Sequence, residues 1–476
     1  RTALFNYLFA KKNNGQFILR IEDTDIERSE EKYIQNIYDS LKSIGLDWDE
    51  GPDIGGKYSP YKQSERAEIY TKYAQKLVES GHTYYCWCSV EELEAEKEQA
   101  RQEKRDFTYS GKCKNLSEEE FFNRKMEFEL GERKPVIRFS VQSKKLKFHD
   151  LIKGELEFDT GLTGDFVVMK SNGTPTYNFA VVVDDIEMKI SHVIRGEDHI
   201  SNTPKQILIY EALGVNIPQF SHVGMILAPD KTKLSKRHGA TAVSEFMEQG
   251  YLPEAFVNFL ALLGWSPPDQ EEVKSLDEIV KLFSLDRISP TPAIFEFDKL
   301  NWLNGVYIRT LPLDEITRRA KKYLNQYDLS SYSEKQLEIM VYSVRNNLTK
   351  MNQITDSVSY FFGEQVNIDK EIRETILNTD ESQKVLAEFM KVIEFIEKTD
   401  YQNIEKINEI NEINEMHEKL GEFRNQMKPL KPKQVMWAIR AALTGRVHGA
   451  DMAVIIFLLG KDRVKLRIEH AILNTN

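Results

Sequence analysis

The chain has 476 residues, 41 % of them hydrophobic and 29 % charged. At roughly 150 residues per domain that is about three globular domains, which excludes a disordered or collagen-like chain. The net charge of −11 argues against indiscriminate coating of DNA, but 64 Lys and Arg leave enough for a local basic face that takes nucleic acid. No apolar run approaches the roughly 20 residues of a membrane helix. The first residues show no signal-peptide pattern, and three cysteines are too few for a disulfide framework, which points to a reducing compartment.

Leu4, Phe5, Leu8 and Phe9 predict an amphipathic helix. No capping residue precedes it, so the pattern reads as a chain whose start is missing. Gln16 to Glu22 reads as a strand and Asp23-Thr24-Asp25 as a polar turn. A helix follows, with an acidic start (Glu27, Glu30, Glu31), an apolar face (Tyr33, Ile34, Ile37, Tyr38, Leu41, Ile44) and a stop at Gly45. Helix, strand and helix in this order predict an α/β layer. From Cys86 to Lys170 the texture differs: a charged helix, Val90 to Lys104, precedes strand-like pieces such as Val136 to Phe139. This stretch reads as an insertion that splits one α/β sheet. Tyr177 to Val183 and Ser191 to Ile194 then read as strands, Pro204 to Leu213 as a helix ended by Gly214, and Ser221 to Ala228 as another strand. Beyond about residue 240 helical patterns dominate: Leu252 to Gly264, broken at Pro267-Pro268, and amphipathic helices from Leu313 onward. The triplet Ile407-Asn408-Glu409, repeated through Glu415, reads as an exposed polar helix or linker.

Gly51 to Lys57 fits G-x-x-x-x-G-K by letter, but Tyr58 stands where magnesium needs Ser or Thr, and no strand precedes it. A P-loop is rejected on that context. The strongest local signal is Lys231 to Gly239, with four cations and two hydroxyls within Lys231 to Arg237. Such a loop after a strand end suits a triphosphate; the alternative is a solvated basic turn. Arg195-Gly196-Glu197-Asp198-His199 also follows a strand. Arg195 has the fork to grip a carboxylate, and the alternative is a structural ion pair. Glu22 poses the same choice for an ammonium group, and Tyr177 that between a site residue and a half-buried core aromatic. Cys86, Cys88 and Cys113 offer three thiolates to zinc, but Asn115 stands where a fourth ligand is expected; free thiols are the alternative.

Together these residues resemble the bacterial-type glutamyl-tRNA synthetases, a class I aminoacyl-tRNA synthetase family. The resemblance runs from Arg1 to the C-terminal region. It is carried by Arg1 to Asn6, Arg20 to Asp25, Gly51-Pro52-Asp53, Tyr61 to Arg66 and Pro175 to Ala180. Val182 to Asp185, Val193 to Asp198, Lys233 to Arg237, Leu262 to Trp265 and Ala441 to Gly445 continue it. It implies a doubly wound, Rossmann-like α/β catalytic domain split by an insertion and followed by an all-α anticodon-binding half. The boundaries would be residues 1–85 and 171–240 for the catalytic domain and 86–170 for the insertion that receives the tRNA acceptor end. Residues 241–310 would contact the tRNA stem and 311–476 the anticodon.

The implied reaction is ATP-dependent ligation of L-glutamate to tRNA(Glu) through a glutamyl-adenylate, with magnesium and without a covalent enzyme intermediate. By resemblance Glu22 accepts the substrate ammonium, and Tyr177 and Arg195 read the side-chain carboxylate. Asp198, Ile226, Lys233, Leu234, Ser235, Lys236 and Arg237 line the ATP site, with Lys233 and Lys236 as the catalytic cations. Arg440, Arg446 and Trp437 are candidates for tRNA contact, since an indole stacks on an unpaired base. The family's HIGH-type motif and first-strand arginine would precede Arg1, so the resemblance implies a missing start of about 20 residues. The expected partners are tRNA(Glu), L-glutamate and ATP, with neither DNA nor a membrane. The expected state is a monomer in the cytoplasm, or in a plastid or mitochondrial matrix. Two other functions stay open: a catalytically inactive tRNA-binding protein on the same scaffold, and another adenylyltransferase of the fold.

Overall fold

The computed structural model describes residues 1–24, 31–131, 134–239, 241–394 and 410–473, with only the backbone of Lys236. Asp25, Glu27 and Glu30 of the expected turn and helix start, and the triplet Ile407 to Glu409, lie outside the described residues. The chain forms two compact units: Arg1–Gly239 with Val257–Glu296, and Ala240–Phe256 with Phe297–Asn476. No helix of the described residues is long and apolar enough to cross a membrane.

In the first unit a four-stranded sheet runs Gly154–Asp159, Lys145–Asp150, Gln219–Val223, His192–Gly196. The first pair is antiparallel; the other two pairings are parallel, with Arg195 beside His222 in register. A second, antiparallel sheet joins Thr83–Cys86, Val136–Phe139 and Phe166–Met169. Two of its strands lie in the stretch expected to be inserted. A third, two-stranded parallel sheet pairs Ile226–Leu227 with Ala293–Ile294.

Helix ends follow the sequence signals. The Thr203–Leu213 helix starts with Pro204 in its first turn and stops at Gly214, whose φ of 67° is cheap only for glycine. Ser89 and Ser117 head the Val90–Gln102 and Glu118–Leu130 helices with capping boxes closed by Glu92 and Glu120, so orphan amides at both starts are satisfied. The helix after the acidic segment spans Glu31–Ser43; it buries Ile34 and Tyr38 but leaves Tyr33 and Ile37 exposed, a narrower apolar face than expected.

Three sequence readings need correction. Tyr177 to Val183 is not a strand: Tyr177–Glu187 is an α-helix. Its residues from Phe179 to Asp184 are all buried, so no polar face marks the helical period, and the valine run imitates a strand. Gln16 to Glu22 is extended but makes only isolated parallel bridges, Ile18 with Glu50 and Ile21 with Lys62. The turns between Glu50 and Tyr61 interrupt its partner chain before a ladder can form. Ser221 to Ala228 is two strands, ending at Val223 and resuming at Ile226. Gly224 sits at the break, where a Cβ would meet the Thr291 carbonyl oxygen at 2.5 Å.

The first unit's main core packs Tyr70, Leu77, Phe179, Val183, Ile207 and Phe220 together. In the second unit the described residues contain helices and no strand, among them Phe297–Thr310, Glu334–Arg345, Asp380–Ile393, Asn411–Gln426 and Pro432–Thr444. Ile410 and Ile413 of the triplet repeat are buried while the Asn and Glu between and after them are exposed, so that segment is amphipathic rather than wholly polar. The last helix, Met452–Leu473, carries a non-helical Gly460 (φ 72°). Arg467, 1 % exposed, donates to the carbonyls of Tyr360, Gly363, Glu364 and Leu443. One guanidinium thereby satisfies four main-chain acceptors.

Candidate functional site

A cleft of about 610 Å³ runs between the extended Phe17–Glu22 stretch and the His192–Gly196 strand, the outer strand of its sheet. Glu22, Tyr177 and Arg195 all line it, so the structure brings the expected amino-acid residues into one cavity. Arg20 and Asp185 complete its charged part. Tyr177 begins its helix rather than a strand, and its hydroxyl lies 3.2 Å from His199 Nδ1.

Arg195 is the distinctive group. It has no carboxylate within 4 Å among the described residues. Its Nε donates to His222 Nε2 at 3.1 Å and its Nη2 to Thr203 Oγ1 at 2.8 Å. The guanidinium lies 5.5 Å from the Phe220 ring centroid. Burial pushes the Arg195 pKa down, and outweighs the opposite pull of the nearby Tyr177 and Asp185. An anion entering the cleft would relieve that cost. Arg20 has the opposite circumstances. Burial disfavours its charge too, but Asp185 at 2.9 Å and Asp184 at 3.6 Å outweigh burial and hold its pKa above the ordinary value.

Behind the cleft lies a buried polar network that sequence reasoning did not assign. Asp184, fully buried, accepts from Arg66 Nε at 2.7 Å, Gln63 Nε2 at 2.8 Å and Tyr70 OH at 2.9 Å. The signal in the sequence is two adjacent acids, Asp184-Asp185, directly behind the apolar run Val181 to Val183. Asp23, also buried, holds the Ser64 amide and hydroxyl at 2.8 and 2.6 Å.

The expected ATP residues do not line this cleft. Asp198 is exposed in the 3₁₀ turn that follows Gly196. Ile226 lies in the two-stranded sheet, and the basic loop folds back on it, with Lys233 bridged to Leu227 and the Leu234 amide donating to Ile226. Thr232 donates from both amide and hydroxyl to Asp230, which holds that carboxyl at a pKa of about 2. Arg237 Nη2 donates to Thr232 Oγ1 at 2.9 Å, and His238 Nδ1 lies 3.1 Å from Ser235 Oγ. Lys233 is exposed with no side-chain partner among the described residues, so its ammonium is free to meet a phosphate. The Lys236 side chain lies outside the described residues.

The cysteines form a true cluster. The Sγ atoms of Cys86, Cys88 and Cys113 lie within 4.8 Å of one another. The sequence left the fourth ligand open; the structure puts the Tyr109 hydroxyl there, 3.4 Å from Cys86 and 3.3 Å from Cys88. Hydrogen bonds from Cys113 and Cys88 push the Cys86 thiol pKa down, while burial raises that of Tyr109. Three soft sulfur donors this close suit zinc, and the Tyr109 hydroxyl is the nearby oxygen that could complete the set. Tyr109 was missed because its spacing belongs to no cysteine-histidine pattern.

In the helical unit Trp437 is half-buried, with Lys433 Nζ 4.2 Å from its ring centroid and His448 edge-on to it. Arg440 donates to the Ala450 carbonyl at 2.6 Å and Arg446 to that of Asp356 at 2.8 Å. Both guanidinium groups therefore also hold local main chain.

Residues 1–302 match the family model described as tRNA synthetases class I (E and Q), catalytic domain, and residues 315–472 match an anticodon binding domain. The chain belongs to the class I aminoacyl-tRNA synthetases: a class I α/β catalytic domain is followed by a helical anticodon-binding domain, and the chain is an enzyme whose substrates include ATP, an amino acid and tRNA. Among its relatives, glutamate–tRNA ligase 1 of Caldicellulosiruptor saccharolyticus is 45 % identical over 477 residues, covering 98 % of this chain and 94 % of that protein. The glutamate–tRNA ligase of Carboxydothermus hydrogenoformans is 43 % identical over 476 residues, with 98 % and 95 % covered. A crystal structure of a glutamate tRNA ligase from Elizabethkingia meningosepticum, in complex with its amino acid, superposes with a TM-score of 0.88 at 31 % identity, covering 100 % of this chain and 96 % of that one.

Proposed function

We propose that the chain ligates L-glutamate to tRNA(Glu), using ATP and passing through glutamyl-adenylate, with Glu-tRNA, AMP and pyrophosphate as products. The observation that carries this reading is Arg195, a half-buried cation without a carboxylate partner among the described residues, in a cleft it shares with Tyr177 and Glu22. A side-chain carboxylate supplies the missing anion, and Glu22 accepts the substrate ammonium. A glutamine amide would turn an N–H₂ toward the guanidinium donors, so the fork selects glutamate.

ATP enters as its magnesium complex. An oxygen of the glutamate α-carboxylate bonds to the α-phosphorus as the bond to the bridging oxygen of pyrophosphate breaks. The terminal ribose hydroxyl of tRNA then attacks the activated carbonyl carbon and AMP leaves. This chain's contribution is positioning and charge neutralisation. Lys233 and Lys236 neutralise the departing pyrophosphate, and Asp198, Ile226, Leu234, Ser235 and Arg237 frame the nucleotide. Residues 86–170 receive the acceptor end, 241–310 the stem, and 311–476 the anticodon, where Trp437 stacks on a base and Arg440 and Arg446 approach the backbone. Cys86, Cys88 and Cys113, with Tyr109 beside them, would hold a structural zinc ion that ties the insertion together. The enzyme works as a monomer in the cytoplasm or an organelle matrix.

The test is charging of tRNA with radiolabelled glutamate and glutamine by the protein and by Arg195→Met. Charging with glutamate alone, lost in the variant, supports the reading. Bound tRNA without charging would replace it with a non-catalytic tRNA-binding role.

A further inference from the structure

Arg195 is useful to a substrate only if its fork is aimed. We propose that Asp150 and His222 form a buried relay that, with Thr203, sets the orientation of Arg195 and leaves its outer guanidinium edge for the side-chain carboxylate. The proposal rests on the reading of Arg195 as the residue that meets that carboxylate.

Asp150 and His222 are both fully buried. Asp150 closes the Lys145–Asp150 strand, and the turn beyond it points the amides of Ile152 and Lys153 back at its carboxylate, at 3.0 and 2.8 Å. The other oxygen lies 2.6 Å from His222 Nδ1 and 3.1 Å from the His222 amide. Burial would raise the Asp150 pKa, but the hydrogen bonds from His222, Lys153 and Ile152 outweigh it and keep the group below the ordinary carboxylate value. An ionised carboxylate only accepts, so His222 Nδ1 carries a proton, and an arginine N–H only donates, so the Nε2 that faces Arg195 presents a lone pair. That lone pair faces Arg195 Nε at 3.1 Å, with the Thr203 hydroxyl 3.2 Å from the same nitrogen.

The parallel register places Arg195 directly beside His222, which puts the two side chains on one face of the sheet. Thr203, fully buried at the start of its helix, takes Nη2 at 2.8 Å. Nε and Nη2 form one edge of a guanidinium. With that edge occupied, Nη1 and the second Nη2 hydrogen turn toward the cleft that Arg195 lines, where the Tyr177 hydroxyl is their neighbour. A pre-set fork loses little side-chain freedom when the ligand arrives, and its fixed plane penalises an amide in place of a carboxylate. Asp150 and His222 are therefore positioning residues, each acting through Arg195.

His222→Asn tests this, because an asparagine amide can still donate to Asp150 but is too short to reach Arg195. The expected result is a glutamate Kd by equilibrium dialysis, and a glutamate KM in charging, raised by about tenfold, one hydrogen bond to a charged group. The KM for ATP stays unchanged, and the preference for glutamate over glutamine falls. Thr203→Val, which loses the second acceptor while keeping its volume, should move the same quantities in the same direction and serves if the histidine variant does not fold. If Arg195→Met leaves glutamate binding unchanged, the reading of the cleft itself fails. If Arg195→Met weakens binding while His222→Asn and Thr203→Val, folded, bind glutamate normally, the relay is overturned. In the double variant Arg195→Met/His222→Asn no further loss beyond Arg195→Met is expected; losses that multiply would show that His222 acts elsewhere.

Discussion

Replacing Asp184 by asparagine keeps its volume and removes one charge from the interior of the first unit. Asp184 is 0 % exposed and its partner Arg66 is 1 % exposed, 2.7 Å away. Breaking such a pair costs about 3–5 kcal/mol, because the remaining charge is left buried. Arg66 keeps one strong acceptor, the Pro60 carbonyl at 2.7 Å, which favours the lower end of that range. Asparagine cannot evade the conflict by rotating. Oδ1 accepts from Arg66 and Tyr70, while Oδ2 accepts from Gln63 and Tyr70 and lies 3.6 Å from Arg20 Nε; Gln63 can flip its amide, but a guanidinium only donates, so the asparagine nitrogen faces Arg66 in one orientation and Arg20 in the other. At about 2–4 °C per kcal/mol for a domain of roughly this size, the calorimetric transition of the first unit should fall by about 6–12 °C. Lys11→Ala, which breaks an exposed pair with Asp49 at 2.7 Å, is the control and should cost less than about 1 kcal/mol. A double variant Arg66→Met/Asp184→Leu should recover only part of the loss: it removes the unpaired Arg66 guanidinium but leaves the buried Gln63 and Tyr70 donors without their acceptor. A shift for Asp184→Asn no larger than that for Lys11→Ala would refute the reasoning.

The same logic reaches other sites. Glu92 is held at a pKa of about 2 against an ordinary 4.5, first by its hydrogen bond from Arg124 and then by those from Lys112 and the Ser89 amide. A depressed acid stabilises the fold above its unfolded value and loses that contribution as pH falls toward the folded one, so Glu92→Gln should flatten the stability profile between about pH 4.5 and 2. Parallel profiles for parent and variant would count against it. Arg467→Lys leaves carbonyls in the helical unit unsatisfied and should cost that unit at least about 3 kcal/mol, read as a lower melting temperature. An unchanged melting temperature would mean that water replaces the fork. Purified protein should carry a single zinc ion by atomic absorption; Cys113→Ser should lose it, and Tyr109→Phe should hold it more weakly. Metal-free protein of unaltered stability would remove the structural role proposed for the cluster.

Elements bounded by local chemistry were legible in the sequence. Pro204 and Gly214 marked their helix because each constrains one backbone position whatever surrounds it. The Tyr177–Glu187 helix was not legible as a helix, because burial on all sides removes the periodicity that reveals one. In the site, Glu22, Tyr177 and Arg195 could be named from the residues that flank them, and one cleft holds all three. Asp150 and His222 could not be named, since they are far apart in sequence and owe their meaning to a strand pairing. Tyr109 joined the cysteines by the same route: only the folded insertion brings its hydroxyl to the sulfur atoms.

The break at Gly224 has a mechanical meaning. Arg195 and His222 ride on the four-stranded sheet, whereas the basic loop hangs from the two-residue ladder between Ile226–Leu227 and Ala293–Ile294. Had Ser221 to Ala228 been one strand, a displacement of the loop would have pulled on the ladder that fixes Arg195. With the ladder interrupted, the two are joined through main chain held from the side: the Met225 amide donates to Glu197 at 2.8 Å and its carbonyl accepts from the Ala293 amide at 2.9 Å. The cleft that Arg195 lines and the basic loop are thus mounted on separate ladders, so neither borrows its register from the other.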